Sequence, residues 1–193
     1  MGIAAVGKKS IASQFLHATF PKKYKPTVED YHRQIVCRNN GYSFQLDILD
    51  TTGVSSNATL ERLTVGECDA FVLVYAVDDR ASFEEVRRLR QLVIDARGDE
   101  APIVVVGNKC DLTGERRVVD RVMAQCTANI DWNHGYVETS AMDNANIADI
   151  FEELMVQAGS NVTLSMTLAR DAFGPSRRRS TGCLTRSPCC VIL

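Results

Sequence analysis

No stretch of the chain comes near the roughly 20 consecutive apolar residues that a helix needs to cross a bilayer, and the N-terminus lacks the charged and apolar regions of a secretory signal. These absences argue against a transmembrane helix and predict a protein made and kept in the cytosol. The seven cysteines are odd in number, and Cys37, Cys68, Cys110 and Cys126 lie scattered, without the paired spacing of a zinc site. A reducing compartment fits that usage, so the glycosylation triplets at Asn57 and Asn161 read as chance matches. No internal repeat is present. Nor is there an excess of one charge: a net charge of -2 with 24% charged residues excludes wholesale attraction to nucleic acid and a long disordered polymer. Acid is missing only locally. Beyond Asp171 there is no Asp or Glu, whereas Arg177, Arg178, Arg179 and Arg186 give that end a positive field.

What is present fits one domain. The 193 residues are 45% hydrophobic, enough to bury a substantial core. Apolar runs with strand character recur at Phe44–Leu49, Ala70–Val77 and Ile103–Gly107, separated by segments of helical periodicity. That alternation predicts an α/β protein with a mostly parallel sheet between helices. Asn39, Asn40 and Gly41 separate Tyr31–Arg38 from the run beginning at Tyr42, a hairpin signature that adds one antiparallel strand. Ser82 with Glu85 reads as a capping box ahead of a stripe of Phe83, Val86, Leu89, Val93 and Ala96. Ile147, Ile150, Phe151, Leu154 and Met155 repeat the stripe, and both are expected to face the core. The periodicity fades after Gly159, which divides a domain over residues 1–159 from a flexible basic tail over 160–193.

Three short segments carry chemistry. Gly2-Ile3-Ala4-Ala5-Val6-Gly7-Lys8 has the Gly-x4-Gly-Lys spacing of a phosphate loop ahead of a helix. Its backbone N–H groups would point at phosphate oxygens while Lys8 neutralises their charge. Asp50-Thr51-Thr52-Gly53 ends a buried run; a carboxylate there can reach a magnesium shell through water, and the Gly53 N–H can sense a γ-phosphate. Alone, each of these would also suit a plain structural turn. Gly107-Asn108-Lys109-Cys110-Asp111 after the strand Ile103–Val106 is decisive. The Asp111 carboxylate can accept from the N1–H and exocyclic amine of guanine together, a donor pair adenine does not have, while Lys109 packs over the ring. Thr139-Ser140-Ala141 would close the far side of the base. The same argument disfavours an ATP-using kinase or ATPase, because Asp111 would face the adenine amine incorrectly.

In this order and near this spacing, the motifs resemble those of the Ras-like small GTPases over residues 2–158. The resemblance implies a three-layer P-loop NTPase of the Ras-like G-domain kind, with GTP or GDP and Mg²⁺ as ligands. It assigns Gly2, Ala5, Val6, Gly7, Lys8, Thr27 and Gly53 to the phosphates, and Phe20, Asn108, Lys109, Asp111, Ser140 and Ala141 to the nucleoside. Tyr24-Lys25-Pro26-Thr27-Val28-Glu29-Asp30 looks like switch I, where Tyr24, Pro26, Thr27, Val28, Glu29 and Asp30 would meet effector proteins. Thr27 would contact both metal and γ-phosphate, and Asp50 the metal through water. Switch II would span Gly53–Thr64. Exchange factors and GTPase-activating proteins are the implied regulators. Tyr31-His32-Arg33 and Leu46-Asp47-Ile48-Leu49-Asp50 look most like the dexamethasone-induced Ras and Rhes branch.

The sequence also departs from that pattern. The family places Ser or Thr after the loop lysine to ligate magnesium; here the position is Lys9. A shifted register using Lys9 and Ser10 would put Lys8 where glycine belongs, and the Lys8-to-Phe20 spacing favours the first register. Weakened magnesium coordination is expected. Val54 stands where a glutamine usually orients the attacking water, and Ala4 and Ala5 add methyl groups where glycine is common. Slow intrinsic hydrolysis is expected, and no catalytic residue is assigned. Met142 replaces a common lysine after Ser140-Ala141. Only Met1 precedes Gly2, so the first strand of the family fold is expected to be missing or truncated.

The final Cys189-Cys190-Val191-Ile192-Leu193 is a C-a-a-X signal whose terminal leucine favours geranylgeranyl transfer to Cys190. Cys189 or Cys183 could add a palmitoyl group, and the nearby arginines could meet anionic lipid. The cytoplasmic face of the plasma membrane is the expected address. Gly2 is a poor myristoylation site because Val6 stands where Ser or Thr is preferred. Two readings remain: a membrane-anchored GTP/GDP switch, or a non-catalytic Ras-like adaptor that works by presenting its surface.

Overall fold

The computed structural model describes residues 1–21, 30–37, 43–51, 58–158 and 189–192. Five helices and six strands follow one another: α1 (Lys8–His17), β1 (Asp30–Cys37), β2 (Ser43–Asp50), α2 (Ala58–Glu67), β3 (Ala70–Ala76), α3 (Arg80–Arg97), β4 (Ile103–Asn108), α4 (Arg121–Cys126), β5 (Gly135–Thr139), α5 (Ile147–Gln157) and β6 (Cys189–Ile192). The strands form one sheet in the order β1-β2-β6-β3-β4-β5. Only β1 and β2 run antiparallel, in register from Asp30 opposite Asp50 to Cys37 opposite Ser43. The hairpin and the mostly parallel sheet expected from the sequence are therefore present; the turn residues 38–42 lie outside the described residues.

Strand alternation explains the three layers. Ala70, Val72, Val74 and Ala76 of β3 pack with Ile11 and Phe15 of α1 and with Ile147, Ile150, Phe151 and Leu154 of α5. Phe71, Leu73 and Tyr75 point the other way, into a second core with Phe83, Val86, Leu89 and Val93 of α3. All seven β3 residues are buried, as a parallel strand covered on both faces requires. Each large apolar side chain so enclosed contributes about 1.5–3 kcal/mol. Both predicted helical stripes face these cores except at Ala96, which is exposed near the end of α3. The start of α3 differs from the expected capping box: Asp79 is the N-cap, in extended conformation, and its side chain accepts from the Ser82 N–H. Ser82 is fully buried, its hydroxyl donating to the Asp79 carbonyl at 2.6 Å and accepting from the Ala76 N–H at 3.0 Å.

The place between β2 and β3, where the resemblance led to the expectation of a missing or truncated strand, is filled. β6 pairs parallel to both neighbours, Cys189–Ile192 against Leu46–Leu49 on one side, and Val191 and Ile192 against Ala70 and Phe71 on the other. Met1 continues in line: its amino group donates to the Val72 carbonyl, and its carbonyl accepts from the Val74 N–H at 2.7 Å. Interior strand edges carry unpaired donors and acceptors that are expensive to bury. An extended apolar segment satisfies them on both sides at once. The rest of the expected tail, residues 160–188 and 193, lies outside the described residues, as does residue 159.

Candidate nucleotide site

The predicted site residues gather at the C-terminal ends of β3, β4 and β5, where an open α/β sheet forms its binding crevice. The loop over residues 2–7 wraps this end. Gly2 and Gly7 have φ of 154° and 101°. A Cβ on Gly2 would lie 2.2 Å from the Val74 carbonyl oxygen, and one on Gly7 would lie 2.1 Å from the Asn108 amide nitrogen. Glycine is thus required at both ends of the loop by contact as well as by backbone angle. Between them Ala5 is left-handed at φ 63°, a conformation costing an alanine about 1 kcal/mol.

Lys8 opens α1 and folds back over the loop, its ammonium donating to the Gly2 carbonyl at 2.7 Å and the Ile3 carbonyl at 2.9 Å. Burial lowers its pKa to about 8, opposed by the negative charge of Asp50. Asp50 is itself fully buried at the end of β2. Lys9, one residue on, is exposed.

Asn108 binds the loops to one another. Its Nδ2 donates to the Val6 carbonyl at 2.8 Å, while its Oδ1 accepts from the Thr139 hydroxyl at 3.3 Å and the Ala141 N–H at 3.1 Å. Three segments more than thirty residues apart in sequence meet on one amide. Cys110 N–H adds a bond to the Thr139 carbonyl at 2.9 Å, and Gln14 of α1 donates to the Ala141 carbonyl at 2.7 Å. Lys109 has φ 67°, and its ammonium pairs with Asp78 at 3.0 Å beyond β3. Asp111 is half-exposed. Ser140 accepts from the Asp143 N–H at 3.1 Å, shaping the last loop. Phe20 is 43% exposed just beyond α1.

The structure therefore brings together Gly2, Ala5, Val6, Gly7, Lys8, Asn108, Lys109, Ser140 and Ala141, with Asp111 in the same loop as Lys109. Of the expected switch I residues, Tyr24, Pro26, Thr27, Val28 and Glu29 lie outside the described residues, as do Gly53 and Val54; Asp30 begins β1 opposite Asp50. Among the described residues no group of three or more His, Cys, Asp or Glu side chains could hold a metal ion, and Asp50, the carboxylate expected to reach magnesium through water, is buried at the end of β2. The described donors do not by themselves make a metal site. Two contributors went unread in the sequence. Gln14 carries no spacing signal toward Ala141, and Glu138, whose carboxylate is gripped by Arg117, is 21 residues from its partner.

A model of the Ras family matches residues 1–159. The chain belongs to the Ras family. It is 36% identical to the human GTP-binding protein Rhes over 191 residues, covering 91% of this chain and 71% of that protein. The human GTP-binding protein Di-Ras1 is 35% identical over 168 residues, 86% of this chain and 83% of that one. The GTP-binding protein drn-1 of Caenorhabditis elegans is 35% identical over 157 residues, 80% and 71%. Against the mouse Rhes protein, the chain spans 62% of the relative's length. These relatives agree with the sequence resemblance, placing this Ras-family chain near the Rhes and Di-Ras branch.

Proposed function

We propose that this Ras-family protein is a guanine-nucleotide switch that hydrolyses GTP slowly and works at a membrane. The observation that carries the reading is the junction at Asn108. One buried amide fastens the phosphate loop, the Asn108–Asp111 loop and the Thr139–Ala141 loop together, so a nucleotide reaching from one to another meets a preassembled surface. Asp111 would accept the two donors on the guanine edge, each charge-assisted bond contributing about 1.5–3 kcal/mol. Lys109, steered by Asp78, would lay its stem over the ring. The backbone N–H groups of residues 2–7 and the start of α1 would receive the phosphates, with Lys8 as countercharge.

Magnesium, where bound, supplies charge neutralisation on the phosphates. Asp50 would take part in holding it through water, and Thr27 is the other proposed contact. Lys9 offers no lone pair when protonated and repels a divalent cation, so this chain is proposed to depend on magnesium less than a relative with a hydroxyl there. Val54 has no group to orient water, which is the reason for slow hydrolysis. Residues 24–30 would serve effectors, and exchange and activating proteins would set the state. Cys190, with Cys189 or Cys183 as a second lipid site, would anchor the tail on the cytoplasmic face of the plasma membrane, aided by its arginines. Among the described residues no helix is long and apolar enough to cross a membrane. Lipid attachment at Cys190 would require β6 to leave the sheet.

Calorimetry of the full chain with GDP, GTP and ATP tests the reading: tight binding of the first two and none of the third is expected. Equal affinity for ATP would defeat it. Lys9 and Val54 favour a second reading, a Ras-like adaptor whose surface acts without turnover; bound guanine nucleotide with no hydrolysis in a single-turnover assay would select it.

A further inference from the structure

Beneath the three loops lies a polar network centred on Glu138. The Glu138 side chain is only 5% exposed, and a buried carboxylate is costly unless fully paired. It is paired at both oxygens. Arg117 donates from Nη1 to Oε1 at 2.8 Å and from Nη2 to Oε2 at 2.9 Å. Tyr136 Oη donates to Oε1 at 3.0 Å, and the Tyr75 hydroxyl lies 2.9 Å from that of Tyr136. Arg121 Nε stands 3.8 Å from Oε2. The backbone of Glu138 is held as well, its carbonyl accepting from the Asn146 amide at 2.8 Å. Burial raises the pKa of Tyr75 to about 12 and that of Tyr136 further still, so both hydroxyls stay protonated.

Position gives this network its reach. Glu138 immediately precedes Thr139-Ser140-Ala141, and across the sheet it stands opposite Gly107, which immediately precedes Asn108. The space above Gly107 is filled: a Cβ there would lie 2.6 Å from the Tyr75 hydroxyl and 3.3 Å from Glu138 Cγ. Arg117 arrives from the segment after Asp111, which is itself fastened just beyond β3, where the Val118 and Val119 N–H groups donate to the Val77 carbonyl at 2.9 and 3.0 Å. The Arg117–Glu138 pair therefore closes a ring, from Asn108 through Asp111 to Arg117, then to Glu138, Thr139 and back to Asn108.

We propose that Glu138 and Arg117 are positioning residues for purine recognition, setting the distance between the Asn108–Asp111 loop and the Thr139–Ala141 loop. The recognition part rests on the guanine reading above; the loop-holding part stands on the geometry alone. Two amides report on it directly, Cys110 N–H bonded to the Thr139 carbonyl and Ala141 N–H bonded to the Asn108 side chain.

Hydrogen exchange on the full nucleotide-free chain decides the first part. Glu138→Gln and Arg117→Met should speed exchange at Cys110 and Ala141 about tenfold, with the central amides of β3 and β4 unchanged. Tyr136→Phe removes one hydroxyl, keeps the ring, and should accelerate the same two amides less; it carries the test if the charge variants do not fold. Unchanged exchange at both amides, or equal acceleration throughout the sheet, overturns the proposal. Competition between GDP and inosine diphosphate, which lacks the exocyclic amine, decides the second part. The preference for GDP should fall at least about fivefold in Glu138→Gln. An unchanged preference overturns the recognition role, whereas a wild-type chain without any guanine preference overturns the proposed function and leaves the exchange result standing.

Discussion

Asn108 shows how a residue singled out for one role can be held in the structure by another. The Asn-Lys-x-Asp spacing marks it as part of a guanine-binding loop, yet its side chain spends its donor on Val6 and its acceptor on Thr139 and Ala141. Its contribution is to hold loops together. His134 makes a similar point away from the site. It is buried, and the Arg90 Nε donates to its Nε2 at 3.0 Å, which requires a neutral ring. Burial first, and Arg90 second, lower its pKa from 6.5 to about 4. The folded state thus binds fewer protons than the unfolded state between those values, so stability is full above about pH 6.5 and falls as pH drops toward 4. The chain should lose about 1–2 kcal/mol between about pH 7 and pH 5 from this group. Denaturant unfolding of wild type and His134→Gln at both pH values checks it: the variant's loss should be smaller by that amount. None of this was legible in the sequence, because a lone histidine carries no sign of which arginine will face it.

The elements themselves were the most readable level. The stripes of Phe83, Val86, Leu89 and Val93 and of Ile150, Phe151 and Leu154 predicted buried helix faces, and the continuous apolar runs predicted doubly covered strands, because one geometric period decides each. Capping was misread: Ser82 fits a cap by type, but the helix starts earlier, where Asp79 adopts the extended conformation that a cap needs. Asp79→Ala should cost about 1 kcal/mol in chemical denaturation, since the Ser82 N–H loses its acceptor. β6 had no sequence signal as a strand, for Cys189–Ile192 reads first as a lipidation motif. Its pairing is a matter of which edges are open to it. Val191→Pro removes one of the N–H donors that β6 offers its neighbours, and should speed amide exchange along Leu46–Leu49 and at Phe71 while leaving the β4–β5 ladder as it was. An unaltered exchange pattern would show that β6 contributes nothing to the sheet's protection.

At the scale of the whole molecule, a rigid frame carries the loops of the proposed switch. Both cores lock β3 and β4, whose ends carry the loops, so a change at position 54 should alter turnover without altering binding. In the full chain, Val54→Gln is expected to raise single-turnover GTP hydrolysis at least about tenfold with GDP affinity unchanged, if loss of water orientation is what slows it. A variant as slow as wild type would remove that explanation. The sequence by itself determined the layered α/β architecture and the Ras-family kinship and marked the loops of the candidate site, because periodicity and short-range spacing are written along the chain. Tertiary structure alone decided which groups brace one another across it: Asn108 on Val6 and Ala141, Arg117 on Glu138, Arg90 on His134, β6 between β2 and β3. Those contacts join residues far apart in sequence, and their partners are chosen by burial, since a polar group taken from water must bond to whatever the packing sets beside it.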